Sequence, residues 1–389
     1  MSVITLMAAA AFGLESVVAR ELAALGYEDQ ETEDGRVLFR ADEAGIARAN
    51  LWLRSADRVG VLLGEFEAHT FDELFEGTKK LPWEEWLSKD NCFPVSGNSV
   101  KSTLHSVPAC QSIVKKAIVE RLRGAYGLNQ LPETGAICPV RIVLRKNRAT
   151  LSLDTTGPSL HKRGYRALAG EAPLKETLAA AMLYLSYWKK DRALLDPFCG
   201  AGTIPIEAAW MAQNRAPGLE RRFGAERWFR PGPAVWRRAR QEAQDLWERE
   251  APLRVYGSDI DARALSLAEA HAEAAGVKGK LFFQRLPARE AGSRFDYGYI
   301  VTNPPYGRRL AREESEISQC YKDLGELHKR LDTWSLNLLT GVPEPERYIG
   351  RRWDRSRKLY NGRIECHYYQ FFGPKPTDGR RLPADRTQT

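Results

Sequence analysis

The 389-residue sequence predicts an α/β protein, a doubly wound parallel-sheet domain preceded by smaller α/β pieces. Three stretches carry that prediction. Leu194-Leu195-Asp196-Pro197-Phe198-Cys199-Gly200-Ala201-Gly202-Thr203 reads as a short apolar strand ending in an acid, a tight glycine turn and the start of a helix. Arg254 to Asp261 reads as a second strand ending in an acid. Tyr299-Ile300-Val301-Thr302 reads as an apolar strand that runs into Asn303-Pro304-Pro305-Tyr306.

From the start of the chain, Met1 to Ala11 predicts a first strand; it is too short to span a membrane and lacks the basic segment of a signal peptide. Leu14, Val17, Val18, Leu22 and Leu25 share a helical face, and Gly26 ends that helix. A strand at Arg36–Arg40 and a helix from Ala44 to Leu53 complete a βαββα-like alternation, which suits a small ferredoxin-like unit over residues 1–63. Residues 64–156 form a second α/β piece. A helix begins at Phe71–Phe75, another runs from Gln111 to Tyr126, and Val140–Leu144 and Ala149–Leu153 alternate as a hairpin turning near Lys146-Asn147. Gly157, Pro158, Gly164 and Gly170 mark a linker, followed by a helix from Leu174 to Tyr187. The doubly wound domain is expected over 157–372, with later elements at Lys280–Arg285, Gln319–Leu331, Trp334–Thr340 and Glu365–Phe372 and a frayed tail over 373–389.

Asp196 and Asp259 lie 63 residues apart, whereas a plain βαβ unit needs about 30. The surplus includes Arg215–Arg240, with eight arginines, two acids and the interleaved Phe223, Trp228, Phe229 and Trp236. Two readings stand open. Basic residues mixed with aromatics suit a nucleic-acid surface; an insertion whose aromatics pack inward with its arginines in water has the same composition.

The glycine turn limits what the crevice can hold. Gly200 and Gly202 let the backbone turn and let a ligand approach without meeting a Cβ, and Thr203 is a candidate cap for the helix, whose first N–H groups form a polar cradle. Pro205 breaks the G-x-G-x-x-G dinucleotide fingerprint, and no G-x-x-x-x-G-K-[ST] phosphate loop is present. Asp196 beside the turn favours a ligand with positive charge and no phosphate, which S-adenosylmethionine satisfies. Asp259 is placed to accept from the ribose hydroxyls, Asp261 to cap the next helix. In Asn303-Pro304-Pro305-Tyr306 the two prolines stiffen the loop. Asn303 and a neighbouring backbone carbonyl can then accept both hydrogens of a nucleobase amine and turn its lone pair toward an electrophilic methyl, while Tyr306 offers a face for the base to stack on.

Taken together, D-P-F-C-G-A-G-T, G-S-D-I-D and N-P-P-Y-G resemble the N-type class I methyltransferases. With Trp52–Val59, Leu160–Arg166, Ala172–Ala179 and Leu359–Cys366, the chain from Gly13 to Phe372 resembles the bacterial THUMP-domain guanine-N2 methyltransferases of large-subunit ribosomal RNA, in their single-methyltransferase form. The resemblance implies a Rossmann-like methyltransferase domain behind ferredoxin-like and THUMP domains, and S-adenosylmethionine as cofactor. It assigns cofactor binding to Asp196, Pro197, Phe198, Gly200, Gly202, Thr203, Asp259 and Ile260, and catalysis to Asn303, Pro304, Pro305 and Tyr306. Leu286 stands where this family places an acid for the adenine amine, which leaves backbone groups or apolar contacts to hold that ring. RNA is the implied partner, and Lys101, His105, Lys115, Lys116, Arg121 and Arg123 are candidate phosphate contacts in the THUMP segment.

The net charge of +8 agrees with a polyanionic partner. Six scattered cysteines without a C-x-x-C argue against a zinc site or a disulfide framework and for a reducing cytoplasmic setting. No run of about 18 apolar residues suggests a membrane span. The rival readings are a transfer-RNA guanosine methyltransferase, a DNA adenine-N6 methyltransferase and a catalytically silent RNA-binding protein.

Overall fold

The computed structural model describes residues 3–166, 174–306 and 314–376. Gly170, Ala172, Pro173, Gly307, Arg308 and the expected tail from 377 onward lie outside these ranges. By compactness the chain divides into Met1–Gly164 with Arg215–Trp247, and Tyr165–Asn214 with Glu248–Thr389.

In the first unit the elements are β1 (Ile4–Ala10), α1 (Glu15–Ala24), β2 (Gln30–Glu33), β3 (Arg36–Ala41), α2 (Glu43–Trp52), β4 (Ala56–Glu67), α3 (Phe71–Lys79), β5 (Val95–Val100), α4 (Val107–Tyr126), β6 (Val140–Arg145) and β7 (Arg148–Asp154). The strands form one sheet in the order β2-β3-β1-β4-β7-β6-β5. α1 buries Val17, Val18 and Leu22, and α3 opens on a reciprocal capping box between Thr70 and Glu73. β6 and β7 turn through Lys146 and Asn147, at φ 50° and 65°, the sign that a tight two-residue hairpin turn demands. β4 joins the two halves: Ala56–Val61 pairs with β1, and Gly60–Glu67 pairs with β7. The expected boundary between residues 63 and 64 therefore falls inside one continuous strand. Of the candidate phosphate contacts, Lys115 and Arg121 are engaged by Glu133 and Glu84, while Lys101, His105, Lys116 and Arg123 are exposed.

The remaining elements are α5 (Glu176–Ser186), β8 (Leu194–Asp196), α6 (Thr203–Ala212), α7 (Pro233–Asp245), β9 (Val255–Asp259), α8 (Ala262–Ala274), β10 (Phe282–Arg285), β11 (Tyr299–Thr302), α9 (Glu314–Arg330), β12 (Ser335–Thr340), α10 (Glu346–Ile349), β13 (Arg355–Asn361) and β14 (Ile364–Phe371). All but α7 belong to the second unit. Its sheet runs β10-β9-β8-β11-β12-β14-β13, parallel from β10 to β12, with β14 antiparallel. Strand order reverses between β8 and β11, so a crevice opens there at the carboxyl ends of the strands. That switch point gathers Asp196, Asp259 and Asn303 from three separate strands.

The segment Arg215–Trp247, counted with the catalytic domain on sequence order, packs into the first unit. Phe223 and Trp236 stack at 5.3 Å and are buried in that unit's core with Trp228, whose indole N–H donates to the Ile137 carbonyl at 2.9 Å. Phe229 alone of the four aromatics is exposed. The arginines divide: Arg215, Arg221, Arg230 and Arg240 make internal contacts, whereas Arg222, Arg227, Arg237 and Arg238 face solvent. Arg221 is the most committed. It donates to the carbonyls of Ser159, Leu160 and Lys162 at 3.0–3.1 Å and to that of Pro158. Burial, with the Arg163 and Arg58 charges, pulls its pKa down to about 10, so it is still a cation at neutral pH.

Candidate active site

β8 delivers Asp196 to the crevice at 1% exposure, and the chain then turns through Gly200 at φ +50° and Gly202 at φ +79°. A Cβ on Gly200 would meet nothing within 4 Å, so that glycine leaves open space for a ligand. Gly202 is different. A Cβ there would come within 3.0 Å of Ala268 and 3.1 Å of Phe283, so Gly202 lets α6 close on α8 and β10. Thr203 does not cap α6: Gly202 holds the cap position, Thr203 is the first helical residue, and its hydroxyl accepts from Arg166. His271 of α8 steadies the turn through a 3.0 Å hydrogen bond from Nδ1 to the Ala201 carbonyl. Burial pushes the Cys199 thiol well up, which makes it a filler.

Asp259 organises the same turn. Its Oδ2 accepts from the Gly200 N–H at 2.9 Å and its Oδ1 from the Asp261 N–H at 3.0 Å. Each carboxylate oxygen keeps a further lone pair for a ribose hydroxyl. Asp261 caps α8 by accepting from the Arg263 N–H at 2.8 Å. After β10, the Leu286 side chain packs with the apolar core, and Pro287, Ala288 and Arg289 face the crevice. Pro287 and Ala288 give that wall apolar surface, and Arg289 adds a polar group to it.

The Asn-Pro-Pro-Tyr loop is tied down on both sides. Just before it, the Thr302 hydroxyl donates to Asp196 Oδ1 at 2.6 Å and joins the end of β11 to the end of β8. The Pro305 carbonyl accepts from the Tyr321 hydroxyl at 3.3 Å. Tyr306 is 6% exposed, with Asn361 Nδ2 donating to its hydroxyl at 2.9 Å and its ring lying 3.1 Å from where a Cβ on Gly341 would sit. Its ring is thus more enclosed than an open stacking platform. Asn303 Oδ1 is buried and has no hydrogen-bond partner among the described residues. An unmet buried acceptor is costly, and here it belongs to the residue expected to hold a substrate amine.

These groups line one cavity of about 430 Å³. Every expected site residue lines it except Gly202. Sequence reasoning missed Arg289, Cys320, Asp323 and Asn361, which also line it; they come from a 3-10 turn, α9 and the end of β13, and only Asn361 falls in a stretch that carried the resemblance, Leu359–Cys366. The donor set fits S-adenosylmethionine: an open glycine turn, two carboxylates and apolar walls, with an unmet acceptor at the Asn-Pro-Pro-Tyr end.

Burial pushes the Asp196 carboxyl up to about 7, and the Asp259 charge acts in the same direction, against hydrogen bonds from Thr302 and Phe198. A raised folded pKa stabilises the fold at low pH, and that contribution is lost as pH rises from about 4 toward 7. The melting temperature of Asp196→Asn relative to the wild type should therefore rise between pH 5 and pH 8 in the absence of cofactor. A melting difference that does not change with pH would show that Asp196 does not titrate in this window.

Residues 163–370 match the RMKL-like methyltransferase domain family, 5–60 the RlmL ferredoxin-like domain and 68–154 the THUMP domain. The chain is 47% identical to YpsC of Bacillus subtilis, by its name a candidate RNA methyltransferase, over 95% of this chain and 96% of that one. It is 36% identical to the ribosomal RNA large subunit methyltransferase K/L of Shewanella baltica over 93% of its length, and spans about half (52%) of that longer relative. Among solved structures, a Listeria monocytogenes protein predicted as an N6-adenine-specific DNA methylase is 48% identical, with TM-score 0.91 and 96% and 97% of the two chains covered. SMU.472, a candidate methyltransferase complexed with SAH, is 41% identical, with TM-score 0.92 and 97% and 100% covered. Likeness of this depth along nearly the whole chain makes it a member of the RMKL-like methyltransferase family, with S-adenosylmethionine as its cofactor.

Proposed function

We propose that the chain methylates the exocyclic N2 amine of a guanosine in large-subunit ribosomal RNA. The observation that carries this reading is the buried Oδ1 of Asn303, without a hydrogen-bond partner among the described residues, on the residue that lines the same cavity as the glycine turn. S-adenosylmethionine, when bound, supplies a methyl group on a sulfonium, a good leaving group that needs no general acid. The chain's own residues then have a positioning task. Asn303 Oδ1 and the Pro304 carbonyl accept the two amine hydrogens and aim the lone pair at the methyl carbon. The amine nitrogen gives that pair to carbon, sulfur keeps the pair of the bond that breaks, and one amine proton passes to water. A base within a duplex cannot reach the cavity, so the target is looped or flipped out. Asp196, Asp259 and the Gly200 turn hold the cofactor.

RNA as the acceptor is supported by the THUMP match and by the name of the Shewanella relative. Arg237 and Arg238, adjacent and exposed on α7, are proposed phosphate contacts. Arg237→Glu with Arg238→Glu should weaken RNA binding and flatten the slope of log affinity against log salt by about 2. An unchanged slope in a filter-binding titration would remove α7 from the RNA surface.

The reading is tested by incubating the protein and labelled S-adenosylmethionine with total RNA from cells lacking the gene. Label in N2-methylguanosine of the large ribosomal RNA supports it. Label in transfer RNA overturns the acceptor. The description of the Listeria relative favours a second reading, and label in N6-methyladenine after a parallel incubation with duplex DNA would establish it.

A further inference from the structure

The cavity holds a carboxylate outside the residues assigned to the cofactor and outside the Asn-Pro-Pro-Tyr loop. Asp323 lines it from α9, one helical turn after Cys320, which lines it too. α9 is fixed against the loop: Tyr321, fully buried between these two, donates to the Pro305 carbonyl at 3.3 Å and shares a 2.5 Å hydrogen bond with Thr340 Oγ1. Gln319 Nε2 donates to Asp323 Oδ1 at 2.7 Å, which orients the carboxylate, and Oδ2 accepts from no donor among the described residues. The other lining acids have roles elsewhere: Asp196 and Asp259 belong to the glycine turn assigned to the cofactor, and Asp261 caps α8.

We propose that Asp323 selects guanine at this site by accepting its N1–H. The proposal rests on the reading of the reaction as N2 methylation. Guanine presents three donor hydrogens along one edge, two on N2 and one on N1. Asn303 Oδ1 and the Pro304 carbonyl account for the N2 pair, and a third acceptor is needed beside them. Adenine presents its amine next to a bare N1 lone pair, which a carboxylate repels, so one group both favours guanine and disfavours adenine. A charge-assisted bond at N1–H also shifts electron density toward N2, whose lone pair is otherwise withdrawn into the ring.

The test compares the wild type with Asp323→Asn on an RNA transcript carrying the mapped target guanosine, and on the same transcript with 2-aminopurine at that position. 2-Aminopurine keeps the amine and lacks N1–H. The wild type should prefer guanine by about 100-fold or more, since a site built around a hydrogen-bonded group rejects its absence strongly. Asp323→Asn should lower transfer to guanine by about 100-fold and reduce the preference below about tenfold, with S-adenosylmethionine affinity and melting temperature unchanged. Asp323→Ser gives the same comparison if the first variant melts early. A variant that makes N2-methylguanosine at the wild-type rate and with the wild-type preference overturns the role of Asp323 alone. A wild type whose product is not N2-methylguanosine overturns the underlying reading, and this inference with it.

Discussion

Asn303→Ala is expected to lower methyl transfer by about 10³-fold while leaving S-adenosylmethionine affinity within about twofold. Removal of one preorganised polar group at a reacting centre costs about 10²–10³, and here it also removes the lever that orients the nucleophile. The cofactor end should not feel the change. Asp196 is bonded to Thr302, the residue before Asn303, through the Thr302 side chain, which the substitution keeps. The Pro305 carbonyl stays bonded to Tyr321, and Asn361 still donates to Tyr306, so the loop keeps its anchors. Single-turnover transfer rates with calorimetry on the same samples separate the two effects. Transfer near the wild-type rate would end the assignment of Asn303, and a parallel loss of cofactor affinity would make it structural.

Arg221→Ala should destabilise the first unit by about 3–5 kcal/mol, the range for removing one partner of a buried charged network. Four carbonyls between Pro158 and Lys162 converge on this one guanidinium, and each would lose a charged donor. For a unit of this size the melting temperature should fall by about 6–20 °C. Arg221→Lys should recover less than half of the loss, because an ammonium lacks the planar fork that reaches several carbonyls together. A melting temperature within 2 °C of the wild type would mean that water replaces the guanidinium at little cost.

The parts of the fold that could be read from sequence are those whose chemistry is local. The strand, glycine turn and helix at Leu194–Ala212, and the stiff loop at Asn303–Tyr306, announce themselves within a few residues. Among the strands missed, β4 is central and was split by the boundary drawn between residues 63 and 64; the other three lack that signal. β2 is Gln-Glu-Thr-Glu, β5 is Val-Ser-Gly-Asn-Ser-Val and β13 carries Arg355, Arg357 and Lys358; all three are sheet edges, where one side needs no apolar residues. Long-range facts were the least legible. Whether the Arg215–Trp247 aromatics faced RNA or a core depended on partners more than 70 residues away in sequence, such as Trp228 with Ile137. Asp323 was hidden for the same reason, since on α9 it looks like any helix-surface acid until the cavity is seen.

The allegiance of Arg215–Trp247 has a consequence for synthesis on the ribosome. The first unit ends its first passage at Gly164, but its core is completed by Phe223, Trp228 and Trp236. Another 83 residues, 165–247, must be made before the whole segment is available. At 5–20 residues per second that delay is about 4–17 s. Throughout it the nascent chain carries an unfilled apolar face while β8 and α6 of the catalytic domain are already emerging. The amino-terminal unit therefore matures out of chain order, and a ribosome that stalls before Trp247 leaves an aggregation-prone fragment even though every residue of the THUMP segment has been translated.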